Sequence, residues 1–147
     1  MIFSKVLSLG NRAIDSEHKK IHDLINKIAD LRDAAALLKA FELLEINLVA
    51  YFVVEENIAR AIEFDFAQHG LAHQGLLNDV HFIKNEMMAK NGLFSKIEEK
   101  GYIDSLWHCL IRHIKEDGKP FKAVLGTYFY DFDPDSAGDA TSLHGCG

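Results

Sequence analysis

Residues 41–62 read FELLEINLVAYFVVEENIARAI. Within this stretch Phe41, Leu44, Leu48, Tyr51, Glu55, Ile58 and Ile62 recur at steps of three and four. That is the period of one helix face, and the strands' period of two is absent. Two members of the face are polar. A helix that turns Tyr51 and Glu55 toward a core must give them partners there, because an unpartnered buried carboxylate costs several kcal/mol.

The same period runs outward in both directions. Upstream, Ile14, His18, Ile21, Ile25 and Ile28 form a seam in a helix expected over 15–32, with Asp15 or Ser16 as N-cap and Arg32-Asp33 near its end. The helix of Tyr51 is expected over 36–64. Downstream, His69, His73, Leu76 or Leu77, Val80 and Ile83 mark a third helix over 66–90, broken by Asn91-Gly92. A fourth, over 103–117, turns Leu106, Cys109 or Leu110, and His113 inward, and Gly118 and Pro120 read as stop signals. The expected fold is all-α: an antiparallel up-down-up-down four-helix bundle with an N-terminal arm and a C-terminal tail. The tail, 128–147, begins aromatic and ends polar, so its start is expected to pack and its end to be loose.

Composition bounds the function. The 147 residues, 48% hydrophobic, are one domain's worth of chain with enough apolar content for a core. A formal charge of −6 with interspersed signs offers no basic patch for nucleic acid or anionic lipid. No apolar run approaches the ~20 residues of a membrane span, and the first residues are too soon charged for a secretory signal. A cytoplasmic location is the expectation. Cys109 and Cys146 make neither a disulfide framework nor a C-x-x-C site. Histidine stands out, at 18, 22, 69, 73, 81, 108, 113 and 144.

Imidazoles and a carboxylate on the seams of four helices must satisfy one another or bind something, and a metal ion does this for all of them at once. His69-x-x-x-His73 places two imidazoles on one face, Glu55 can bridge two ions, and His113-x-x-x-Asp117 is a second His/carboxylate pair. Mixed imidazole and carboxylate donors suit iron, zinc, copper or manganese above calcium or magnesium. Neither the Glu-x-x-His pairs of ferritin-like bundles nor the H-E-x-x-H of zinc peptidases occurs. His81 and His108 read as rim residues, Cys109 as a small buried one, and His144 and Cys146 as part of a flexible tail.

Four stretches in order, IDSEHKKIHDLIN (14–26), YFVVEENIA (51–59), QHGLAHQGL (68–76) and CLIRHIKEDGKPF (109–121), resemble the helical motifs of the hemerythrins. The resemblance implies a non-haem di-iron centre, oxo- or hydroxo-bridged, that binds dioxygen. It puts His69, His73 and His113 on one iron, His18 on the other, and Glu55 between them. Two positions depart from the pattern. Tyr51 stands where the family has a histidine. The family's aspartate falls at Gly118, and Asp117 comes one residue early, so that a bridge through Asp117 needs a local bulge in the helix. The segment between Glu55 and His69 is also a residue short, with Phe64 as its aromatic.

A phenolate ligand adds negative charge and favours the ferric state, which suits oxygen or redox sensing or storage better than reversible carriage. His22, one turn beyond His18, is a candidate to complete the second iron. Cys109 occupies a place where the family often has tryptophan, which leaves room near the site. The alternatives are a di-iron redox enzyme acting on peroxide or nitric oxide, with a redox partner, and an iron- or zinc-holding regulatory bundle.

Overall fold

The computed structural model describes residues 8–31, 33–91 and 93–134. Among them the structure is all-α, without strands: α1 (Arg12–Ala29), α2 (Ala34–Ala61), α3 (Ala67–Ala89), α4 (Lys96–Arg112), a π-helical turn (His113–Asp117) and α5 (Lys119–Leu125). α1 packs on α2 and α4, α2 on α3, and α3 on α4, which closes four helices into a bundle around one core. The seams read from the sequence line it: Ile14, Ile21, Ile25, Phe41, Leu44, Leu48, Leu106 and Leu110 are all buried. Each such side chain contributes on the order of 1.5–3 kcal/mol on leaving water. None of the described helices is long and apolar enough to cross a membrane.

The helix ends differ from expectation in informative ways. α1 starts earlier because Asn11, in extended backbone, accepts the Ile14 amide and is the N-cap. Asp15, expected to cap, is instead buried inside the first turn. Its carboxylate accepts from the Leu9 amide at 3.0 Å, from the Tyr130 hydroxyl at 2.9 Å and from Ser8. Asp33 is the N-cap of α2, holding the Ala36 amide, and α1 ends at Ala29. Arg32 and Gly92, included in the expected helix ends, lie outside the described residues.

α4 begins about two turns before the expected Ile103. Its first turns are largely exposed and show no seam, but Ser95 and Glu98 form a capping box, a signal present in the sequence as S-x-x-E. Leu110 takes the inward position and Cys109 is half-buried, which corrects its reading as a small core residue. Pro120 starts a helix and does not merely end one. It sits in the first turn of α5, where its missing N–H costs nothing, and Phe121 and Leu125 anchor that turn in the core.

The beginning of the tail packs as expected. The Arg12 amide donates to the Tyr130 carbonyl at 2.7 Å, the Asn11 side chain donates to the Phe132 carbonyl at 2.9 Å, and Phe132 is buried. His144 and Cys146 lie outside the described residues.

Candidate metal centre

Tyr51 and Glu55 are one turn apart on α2, and both are fully buried. α3 supplies His69 and His73 with the same spacing, and His113 opens the π-helical turn after α4. One ligand atom from each of Glu55, His69, His73 and His113 falls within 4.8 Å of all the others, and all four residues are buried. A single carboxylate oxygen is the hub. Oε1 of Glu55 is 2.8 Å from Nε2 of His73, 3.1 Å from Nε2 of His69 and 3.8 Å from Nε2 of His113.

The electrostatics follow from that hub. Burial alone would raise the Glu55 pKa, but the three imidazoles outweigh it and hold the carboxyl well below its usual range. Burial also opposes charge on His69, yet the bond and charge of Glu55 and the Asp117 carbonyl raise its pKa overall. For His73 burial wins over Glu55 and the pKa falls.

The other oxygen of Glu55, Oε2, and the hydroxyl of Tyr51 are buried without a well-formed hydrogen bond among the described residues, although the phenol and the Glu55 carboxylate do interact with each other. Natural cores rarely tolerate such orphans without a role. The Tyr51 ring meets His18 edge-on at 4.6 Å between centroids and lies 5.6 Å from His73 and 5.9 Å from His113. Tyr51 therefore stands between His18, which is fully buried on α1, and the three-histidine set. Burial, and next the charge of Glu55, push the phenol pKa well above its ordinary value.

Asp117 reaches the cluster from outside. Its backbone carbonyl accepts from Nδ1 of His69 at 3.1 Å, and its half-exposed carboxylate is 3.3 Å from Nδ1 of His113. Both contacts fall on the ring nitrogens that face away from Glu55. A bulge of the kind that a bridge through Asp117 would need is present, although the carboxylate stands on the outer side of His113: the Gly118 amide donates to the His113 carbonyl at 2.9 Å, the i+5 to i bond of a π turn. In this turn Gly118 leaves no room for the family's aspartate without a shift, because a Cβ would lie 2.6 Å from the Ile114 carbonyl oxygen and 3.0 Å from Leu9.

His22 is buried but turned elsewhere, with Nδ1 3.1 Å from the Asp23 carboxylate and its ring 5.0 Å from Trp107. The structure does not bring it into the cluster. His81 and His108 are exposed, as their rim reading anticipated.

Sequence reasoning missed the aromatic wall. Phe52 stacks on His73 at 3.9 Å and 16°, Phe66 packs 5.0 Å from His69 and 5.2 Å from His73, and Phe121 lies 5.6 Å from His69. Phe52 and Phe121 lie within the quoted motifs, and their place next to polar seam residues was the available signal.

A buried set of three imidazoles and a carboxylate, with further orphaned oxygen donors beside it, fits a metal. Two curated proteins described as hemerythrin-like, from Naegleria gruberi and Naegleria fowleri, are each 29% identical to this chain over 118 residues, 80% of this chain and 87% of the relative. No family model and no solved structure matches the chain. Likeness over four-fifths of its length supports a hemerythrin-like family for this chain, and the buried Glu/His cluster gives it the donor set of a metal-binding protein.

Proposed function

We propose that the chain holds a non-haem di-iron centre, oxo- or hydroxo-bridged, and takes dioxygen or a related small ligand for oxygen or redox sensing or storage. His69, His73 and His113 would hold one iron and His18 and Tyr51 the other, with the Glu55 carboxylate as a donor shared between them. The observation that carries this reading is the divided carboxylate of Glu55: one oxygen contacts His69 and His73 and lies 3.8 Å from His113, while the other is buried without a well-formed hydrogen bond among the described residues, in a core that also holds Tyr51 and His18.

Bound there, iron supplies the electrons that a small oxidising ligand takes up. The chain's own part is positional. The Asp117 carbonyl holds the outer nitrogen of His69, its carboxylate lies beside that of His113, and both rings present Nε2 inward. Phe52, Phe66 and Phe121 keep bulk water from the imidazoles. Tyr51 supports sensing or redox duty over carriage, since a phenol oxygen in place of an imidazole nitrogen favours the ferric state. A redox partner would serve the redox form of this duty.

A second reading has its own support. The four-residue cluster of Glu55, His69, His73 and His113 is compact enough for one tetrahedral ion, and three histidines with one carboxylate suit zinc. The chain would then be a zinc-holding bundle.

Metal content and the visible spectrum of the air-exposed protein decide between them. Two irons per chain, with a phenolate-to-ferric band that vanishes in Tyr51→Phe, are the expected result. One zinc and no visible absorption would replace this reading with the second.

A further inference from the structure

A surface hollow of about 380 Å³ lies between Ser8 and the segment 114–122. Ser8, Ile114, Lys115, Lys119 and Lys122 line it, and no acidic residue among the described ones does. The three lysines are exposed and follow one another at steps of four and three, the spacing of one helix face carried from the π-helical turn into α5. Ser8 forms the opposite rim, its hydroxyl donating inward to the buried Asp15.

The positive charge of this hollow is not spent within the chain. Lys19, Lys20, Lys84, Lys90 and Lys100 each stand beside a carboxylate, whereas Lys115, Lys119 and Lys122 are in no ion pair among the described residues. In a chain of formal charge −6, three such cations in one concavity attract an acidic surface that the molecule as a whole repels, and so fix where it lands. The hollow is also next to the candidate metal centre. Ile114, buried at its back, shares a peptide bond with His113, whose Nε2 faces Glu55. Electron tunnelling falls steeply with distance, so this short connection favours electron delivery here.

We propose that the hollow docks the acidic face of a one-electron carrier protein, which reduces the metal centre from the Ile114 side. One electron passes from the reduced carrier to one ferric ion, and the carrier leaves oxidised. The acceptor rests on the di-iron reading above; the docking does not.

Plant-type 2Fe–2S ferredoxin, an acidic carrier of low potential, is the probe. Two variants of the full chain have equal formal charge: Lys115→Glu/Lys119→Glu/Lys122→Glu, and the control Lys27→Glu/Lys39→Glu/Lys96→Glu. The control lysines are also exposed and in no ion pair among the described residues, but are scattered over α1, α2 and α4. Oxidised ferredoxin is first titrated at low salt into the metal-free or zinc-loaded chain, followed by amide chemical shifts. The shifts are expected to gather at Ser8, Ile114, Lys115, Lys119 and Lys122, with Kd rising about tenfold or more in the first variant and less than about threefold in the control. In the iron-loaded chain, reduction by reduced ferredoxin is then expected to slow about tenfold or more in the first variant and in high salt, while dithionite reduces all three chains alike.

If no iron centre forms, the di-iron reading fails while the shifts still decide the docking site. Shifts scattered over the surface, equal weakening in both variants, or native ferredoxin reduction rates in the first variant would overturn the proposal. Shifts that appear with inorganic phosphate and not with ferredoxin would also overturn it, and would make the hollow a small-anion site.

Discussion

The Asp117 carboxylate lies 3.3 Å from Nδ1 of His113, four residues before it in a π-helical turn. Nδ1 is the nitrogen directed away from Glu55, and the carboxylate approaches it by charge and distance without hydrogen-bond geometry, while Nε2 faces the cluster. The backbone carbonyl of the same residue accepts a hydrogen bond from Nδ1 of His69. Losing the carboxylate removes one of these two supports and keeps the other. Asp117→Asn is expected to lower metal affinity by about tenfold, and Asp117→Ala by up to about a hundredfold. Competition with a coloured chelator measures this, and native affinity in both variants would show that the contact orients nothing.

Glu55 and His18 separate by stoichiometry. Glu55 is the only acid in the four-residue cluster, and its two oxygens have different surroundings. His18 contacts Tyr51 and lies outside that cluster. His18→Ala is therefore expected to retain one metal ion per chain on the three histidines, whereas Glu55→Ala retains little of either. Elemental analysis of the purified variants checks this. Full loading of His18→Ala would remove α1 from the site.

Gly118 marks where a side chain has no room. Its backbone is in the ordinary right-handed region, so the obstacle is the Ile114 carbonyl oxygen 2.6 Å from a built Cβ. Gly118→Ala is expected to cost on the order of 1–3 kcal/mol and to loosen the π turn. Gly118→Asp, which restores the family's spacing, is expected to lose metal as well. Chemical denaturation and metal content read the two effects, and a stable, fully loaded Gly118→Asp would show that the turn adapts.

The seams were legible because helical period and burial coincide: every apolar seam position named for α1 and α2 is in the core. Glu55, His69, His73 and His113 were legible for the same reason, as polar members of apolar faces. Asp117 was read as a bridging ligand candidate, and the sequence showed only that a bulge was needed. What it could not show is which side of His113 the acid would take, since that depends on how the turn after His113 is wound and on a Leu9 side chain outside the motifs. The first turns of α4 escaped because exposed helix has no seam, and α5 because Pro120 reads as a stop until Phe121 is seen to be buried. Cavities between helices leave no periodic trace at all.

His18 gives the metal-free chain a characteristic response to acid. Burial, opposed by the charges of Glu55 and Asp15, lowers its pKa from 6.5 to about 4. Between those values the unfolded chain binds a proton that the folded chain refuses. Stability is therefore intact above about pH 6.5 and is lost as the pH falls toward 4, by on the order of 3 kcal/mol from this residue. Glu55 extends the loss further into acid, because its folded pKa is depressed and its contribution disappears only as it too is protonated. His69, with a raised pKa, works in the opposite direction and gains stability on acidification. Comparison with His18→Asn isolates the histidine from both. Urea denaturation of the two metal-free chains between pH 7 and pH 4.5 is expected to show a steeper decline in the native chain. Parallel declines would mean that His18 takes up its proton without unfolding the bundle.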